Sequence, residues 1–412
     1  MLYTLLARVL HHNSASSKAG IPRRILPVII LTVFMGTSPW FAGNAVMQDL
    51  ERLWGLSPDA LANVTSSVQL GFIVGTLVFA IFSVSDVFSP RSVFLVCSLL
   101  VAASNAGIVL FADGYTTLLV YRFLTGFFLA GIYPVGMRAM AGWYQNELGR
   151  AMGYLIAAVV LGTAFPHLLE ALGQSLEWTS VITTVSVIAA CGGLLMYALV
   201  PDGPHLSAGT KLAPGALRAV FASKGLRASA FGYFGHMWEL YAFWAFVPVL
   251  LATHVGSGTV TKLDIAFWSF VIIGAGSIGC AGGGILSVRF GSARLACVQL
   301  AVSGVCCIVS PFLFDAPTAL FVLFLVVWGI TVAGDSPQFS SLNALNAPVG
   351  LVGSALTIVN CIGFSITIVS IQALSFAGHY VETRWLFPLL ALGPAAGLFA
   401  MRGLLRAEAR KP

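Results

Sequence analysis

Charge is what this chain has least of. Asp, Glu, Lys and Arg together make up 9% of its 412 residues, against about 25% in an ordinary soluble domain. That scarcity excludes a water-covered surface of normal size, and with 58% hydrophobic residues the chain reads as a polytopic membrane protein. Other features are missing as well: a Gly-rich phosphate loop, a Ser-His-Asp arrangement in a supporting context, and a cluster of metal ligands. An enzyme, a cofactor and a bound metal are therefore not expected. The seven cysteines (Cys97, Cys191, Cys280, Cys297, Cys306, Cys307 and Cys361) follow neither a disulfide framework nor a zinc spacing. All fall in apolar stretches, where cysteine behaves as a small hydrophobe. The spans leave no room for a nucleotide-binding domain, so the energy source would be an ion gradient or the gradient of a solute.

Apolar runs long enough to cross a hydrocarbon core of about 30 Å, at about 1.5 Å per helical residue, number twelve. They are 25–47, 62–84, 92–112, 117–140, 150–172, 178–200, 229–252, 264–287, 294–313, 317–338, 350–373 and 385–403. The fold expected is all-α, with twelve transmembrane helices in two six-helix bundles. Its parts are a tail over 1–24, a first bundle over 25–200, a linker over 201–228, a second bundle over 229–404 and a tail over 405–412. The linker carries Pro201, Pro204, Pro214, Lys211, Arg218, Lys224 and Arg227 without a spanning run.

Basic residues near helix ends resist translocation, so their distribution gives orientation. If the chain starts inside, seventeen of the twenty-one Lys and Arg fall on the cytoplasmic side, and only Arg52, Lys262 and Arg384 lie in outer loops. Both termini are then cytoplasmic, and the net charge of +6 follows from topology rather than from a nucleic-acid partner. The first 24 residues contain no acid and four basic residues, which reads as a short cytoplasmic tail rather than a targeting segment.

One pattern occurs twice. Gly126, Ala130, Gly131 and Pro134 return as Gly329, Ala333, Gly334 and Pro337, each pair 203 residues apart, or about half the chain. Such a shift between apolar segments is what parallel membrane repeats leave behind, and repeats of this kind build secondary transporters.

The loops carry a further pattern. Gly284, Ile285, Leu286, Ser287, Val288, Arg289, Phe290, Gly291, Ser292, Ala293 and Arg294 follow a Gly, three residues, Asp, Arg, one residue, Gly, then basic signature, with Val288 in place of the acid. In the equivalent loop of the first half only Asp86 and Arg91 survive. In the fourth span Arg122, Phe123, Leu124, Thr125 and Gly126 match an Arg, two residues, Gln, Gly pattern, with Thr125 replacing Gln. With these motifs the chain resembles the major facilitator superfamily over nearly its whole length. The resemblance implies a monomeric secondary transporter with its first, fourth, seventh and tenth spans around a central cavity. It also implies a cytoplasmic gate in which Asp86 and Arg91, with Arg289 and Arg294, hold the halves together, and a role in coupling for Arg122. A solvated turn is the plain alternative for the loop, and an Arg that snorkels to the interface is the alternative for Arg122. The Gly-Pro signature of drug and proton antiporters is poorly matched by Gly162 to His167.

The seventh span is unusual in holding His236 and Glu239, the latter about 15 Å beyond Ser229 at about 1.5 Å per residue, near the bilayer centre. A carboxylate there costs several kcal/mol if unpaired, and such groups mark ion or substrate paths. Gly232, Gly235, His236, Glu239 and Phe243 share a helical face, which is expected to line the cavity. A buried His-Glu bond that fastens helices is the alternative, and metal ligation lacks a third ligand. Trp40 and Asn44 in the first span, and Trp328 and Thr331 in the tenth, complete the expected binding residues, with Asp335 placed at the gate. His167 and Glu170, Asn360 and Gln69 are weaker candidates.

The function expected is proton-coupled transport of a small solute, an anion, by alternating access in a bacterial inner (plasma) membrane. Partners are that solute, protons and the lipid bilayer. Proton-antiport efflux of amphipathic compounds, and a non-transporting sensor or assembly factor on the same scaffold, are the alternatives.

Overall fold

Length and apolarity set the elements. The computed structural model describes residues 21–145, 148–173, 177–206, 215–255 and 264–409, and among these it is helical throughout, without strands. Among the described residues, eleven helical segments are long and apolar enough to cross a membrane, and a shorter apolar helix of 13 residues, Ile25–Thr37, precedes them. In chain order the first half contains α1 Ile25–Thr37, α2 Ala42–Ala45, α3 Met47–Trp54, α4 Ala60–Ile81, α5 Val84–Val87, α6 Pro90–Phe111, α7 Tyr115–Leu129, α8 Tyr133–Trp143, α9 Leu148–Leu172 and α10 Trp178–Leu199. A connecting helix α11 Ala216–Ala222 leads to α12 Lys224–His254, α13 Ile265–Phe290, α14 Ser292–Leu313, α15 Thr318–Gly334, α16 Ser336–Asn346, α17 Val352–Ala377 and α18 Leu392–Ala409, the last preceded by two 3₁₀ turns. The outer faces stay apolar, as the exposed row Val298, Val302, Val305, Ile308 and Phe312 on α14 shows.

Three spans expected to be continuous are broken. The first, expected over 25–47, stops as a helix at Thr37 and turns through Ser38, Pro39, Trp40 and Phe41 before α2. Pro39 has no N–H to continue the ladder, and the Ser38 hydroxyl donates to the Met35 carbonyl at 2.8 Å. The fourth span, expected over 117–140, breaks at Ala130–Ile132, and the tenth, expected over 317–338, at Asp335. Pro134 and Pro337 sit just inside the second segments, where a missing N–H is tolerated. In the tenth span the carbonyl of Ala333, four residues before Pro337, accepts a bond from the Cys280 thiol at 3.1 Å instead. The linker expected over 201–228 contains α11, and α12 starts at Lys224, with the Ser223 hydroxyl accepting from Leu226 N at 3.4 Å.

The repeated glycines occupy matching crossings. A Cβ at Gly126 would strike the carbonyl of Val68 on α4, and one at Gly329 the carbonyl of Ile272 on α13. Gly131 faces Cys97 on α6, and Gly334 faces Gln299 on α14. In each half, small residues let two backbones touch. Between the halves, α9 meets α13 where a Cβ on Gly153 would lie 3.0 Å from both the Cys280 carbonyl oxygen and Gly284 Cα, and α4 meets α17.

Candidate functional site

A cavity of about 750 Å³ opens between the halves at the end where the linker runs. Its walls come from α4 (Thr76, Phe79), α8 (Pro134, Met137, Arg138), α16 (Ser340, Ser341, Asn343) and α17 (Leu356, Thr357, Asn360), with Tyr233 from α12 and His205 from the linker. The two broken spans thus contribute their linker-end segments to the wall. Arg138 and His205 are the basic groups of the described lining, which holds no carboxylate.

Along α4 and α17 the passage closes in two steps toward the opposite, distal end. Beyond Phe79 and Asn360 comes an aromatic layer: Phe72 and Phe364 lie 4.4 Å apart by ring centroid, Trp40 stacks on Phe364 at 5.9 Å, and Tyr241 sits 5.9 Å from Trp40. The Trp40 indole also donates to Gln69 at 3.4 Å. Further on, polar side chains join the halves. Gln372 Nε2 donates to Asn63 Oδ1 and to Ser66 Oγ, both at 3.0 Å, Ser375 Oγ donates to Asp59 Oδ1 at 2.7 Å, and His379 Nε2 lies 3.4 Å from the same Asp59 oxygen.

Arg122 is fully buried, so it does not snorkel. Its Nη1 donates to the Pro39 carbonyl at 2.9 Å and to Asn105 Oδ1 at 3.3 Å, and its Nη2 donates to the Trp40 carbonyl. These carbonyls lie in the turn where the first span unwinds, and a cation there also meets the negative end of α1. Arg122 therefore secures the break that positions Trp40. Asn44, also buried, donates to Thr65 Oγ1 at 2.7 Å.

The seventh span departs from expectation. The face that carries Gly232, Gly235, His236 and Glu239 turns into the second half, not toward the cavity. Gly232 abuts Phe339 and Met401, and Gly235 abuts the backbone of Gly393 on α18. Glu239 is bound by three donors: Trp328 Nε1 at 2.6 Å, Ser303 Oγ at 2.9 Å and Cys307 Sγ at 3.3 Å. It fastens α12 to α14 and α15, and Trp328 is the other half of that fastening rather than a cavity wall. His236 does not pair with Glu239. Its Nδ1 lies 2.8 Å from Asp335 Oδ1, and its Nε2 lies 2.9 Å from Ser336 Oγ. Asp335, placed at the gate from the sequence, is fully buried at the break of the tenth span. Thr331 spends its hydroxyl on its own helix, at the Val327 and Trp328 carbonyls. His167, a weaker candidate, is buried, with its Nδ1 3.7 Å from Glu170 Oε2.

At the linker end, the Asp86 side chain lies outside the described residues. Arg91 lies over the Tyr197 ring at 5.2 Å, and Arg289, exposed, over Phe290 at 5.4 Å. The exposed Arg294 takes part through its backbone: Glu408 accepts from Arg294 N at 2.9 Å and from Ala293 N at 3.4 Å, capping α14. Sequence reasoning missed Arg138 as a wall residue and the distal cluster on Asp59. The position of Arg138 just past the repeated Pro134 was the available signal for the first, whereas partners some 300 residues away left none for the second.

Comparison with known proteins agrees with this architecture. The family model described as Major Facilitator Superfamily matches residues 28–371. A stretch of 164 residues is 26% identical to an uncharacterized MFS-type transporter, YybF, of Bacillus subtilis (strain 168), covering 39% of this chain and 40% of that relative's length. Among solved structures, the human organic anion transporter MFSD10 (TETRAN) superposes with a TM-score of 0.68 at 14% identity, over 92% of this chain and 99% of that one. The proton:xylose symporter XylE, bound to 6-bromo-6-deoxy-D-glucose, gives 0.73 at 13% identity, over 92% and 94%.

Proposed function

Because the chain belongs to the Major Facilitator Superfamily, and so is a secondary transporter rather than an enzyme, we propose that its solute is a small organic anion moved by alternating access and linked to protons. The observation that carries this reading is the cavity. At about 750 Å³ it accommodates a drug-sized molecule. Its described lining pairs apolar surface with hydroxyl and amide groups and with the basic Arg138 and His205, and contains no acid. A cationic solute would be repelled by such a wall, while a carboxylate or sulfonate would find Arg138 as its counter-charge. The likeness in fold to an organic anion transporter is consistent with this. With the linker end cytoplasmic, as the basic residues favour, the conformation described is open to the cytoplasm and closed outside by the aromatic layer and the Asp59 cluster. The setting is the inner membrane of a bacterium, with the monomer as the working unit.

The test is reconstitution of the full chain in liposomes with an imposed pH gradient, followed by uptake of a panel of aromatic carboxylates, a neutral sugar and cationic dyes. Carboxylate uptake that follows the gradient is expected. Transport of the dyes in preference to the carboxylates would replace this reading with amphipathic efflux.

A further inference from the structure

The start of the linker is fastened to the first half. Past the end of α10, residues 200–206 lie against its linker end as a strap. Trp143 Nε1 donates to the Pro201 carbonyl at 3.0 Å, His205 N donates to the Gly142 carbonyl at 3.0 Å, and Ser89 Oγ donates to Asp202 Oδ1 at 2.7 Å. Val200 is buried, and a Cβ on Gly203 would strike the backbone of Gly142. Gly142 is covered in turn by Leu206, which would lie 2.9 Å from a Cβ placed there. These contacts tie the strap to α8, the lower segment of the fourth span, and to the residue that precedes α6, so it moves with the first half. They also hold His205 and the half-buried Leu206 in the cavity wall. From the second half, the wall at this end is formed by Ala344 near the end of α16, Gly350, and Val352 and Gly353 at the start of α17. The described lining has three glycines, and two are accounted for: Gly142 makes room for Leu206, and Gly350 has a φ of +82°. Gly353 has neither reason. A Cβ there would meet nothing within 4 Å, although a glycine costs its helix backbone entropy.

We propose that the strap is the gate at the linker end: when the distal end opens, the first half carries Leu206 onto the surface of Ala344 and Gly353, and the cavity closes over its solute. The inference rests on the alternating-access reading and adds which segments meet. Parting the halves at the Asp59 cluster brings their linker ends together, and the docked strap travels with α8 toward α17. Leu206 then exchanges water for apolar contact, which favours closure. The missing side chain at Gly353, unexplained while the mouth is open, lets the strap approach the backbone of α17 closely. The two ends of the carrier thus close by different chemistry. Side-chain hydrogen bonds between α4 and α17 seal the distal end, and an apolar residue of the linker seals the other.

Cross-linking tests the gate without any solute. In the full chain in liposomes the exposed Cys191 is replaced by Ala, Leu206→Cys and Gly353→Cys are introduced, and disulfide formation with copper phenanthroline is compared with and without Ser66→Trp, a wedge between α4 and α17 at the distal end. The yield should rise about fivefold or more with the wedge, as the state closed at the linker end becomes populated. If Ser66→Trp does not fold, Asp59→Ala takes its place as the opener. In a second measurement Gly353→Leu, which has open space in the present conformation, should keep the size-exclusion profile of wild type. Combined with Asp59→Ala, it should deplete the longer distance that Asp59→Ala adds between spin labels at the exposed positions 52 and 380. A cross-link yield that stays level or falls with the opener, or a distance distribution that Gly353→Leu leaves unchanged, would overturn the assignment. If neither opener lengthens the distance between the labels, alternating access fails and the gate with it. A wild type that moves dyes in preference to carboxylates would defeat the anion reading alone, since neither measurement uses a solute.

Discussion

Removing Asp59 should tip the carrier toward its distally open state. The Asp59 carboxylate receives the Ser375 hydroxyl at 2.7 Å and lies 3.4 Å from His379 Nε2, so Asp59→Ala removes two of the polar contacts that join the halves at this end. The pair with His379 is 46% and 39% exposed, which limits it to about 0–1 kcal/mol. The hydroxyl bond to a charged, half-buried oxygen adds about 1 kcal/mol. The loss is then about 1–2 kcal/mol, and at about 1.4 kcal/mol per factor of ten the ratio of the two states shifts roughly 5- to 30-fold. Electron–electron distance measurements can read this, with spin labels at the exposed positions 52 and 380 on opposite halves and the exposed Cys191 replaced by Ala. Wild type should show one short distance, and Asp59→Ala should add a populated longer one. Ser375→Ala made in the Asp59→Ala background should add almost nothing, because both remove the same bond. A distance distribution unchanged in Asp59→Ala, in protein that still transports, would refute a latching role for the cluster.

Arg122→Leu, which copies the Leu325 of the other half, should lower thermal stability in detergent by about 2–4 kcal/mol, because it leaves the Pro39 and Trp40 carbonyls without their donors; Arg122→Lys should recover only part of this. Gly126→Val and Gly329→Val should each reduce the yield of folded protein, as read by size-exclusion profiles, since their side chains meet the backbone of α4 and α13. Arg138→Gln should raise the KM for a carboxylate solute about tenfold or more, as uptake assays in liposomes would read, because it removes the counter-charge from the wall.

Hydropathy made the membrane spans legible, because crossing length and apolar composition are what a bilayer demands of each segment. The repeat identified the fourth and tenth spans as counterparts, and its glycines lie at matching crossings in the two halves. The breaks were not legible as such: a turn of three or four residues within an apolar run leaves the apolar count unchanged. For the seventh span, small residues at helical spacing indicate close helix approach. Gly232 and Gly235 make that approach to the last helix, so the face was identified correctly but assigned to the wrong neighbour. Glu239 was recognised as a costly acid and Asp335 was placed at the gate, but that the oxygens of Glu239 are satisfied depended on Ser303, Cys307 and Trp328 arriving from other helices. The Asp59 cluster joins residues at opposite ends of the chain, and no local pattern announces such a meeting.

The break shared by the fourth and tenth spans divides labour along each of them. Above it, Gly126 and Gly329 are wedged against neighbouring backbones, so that part answers for whether the protein assembles. Below it, Met137, Arg138, Ser340 and Asn343 face the open cavity, where a new side chain displaces only solvent or solute. Changes of diet and losses of fold should therefore map to opposite sides of the same two joints, and a carrier built this way can be retuned to a new solute on its lower segments without renegotiating the packing that holds it in the membrane.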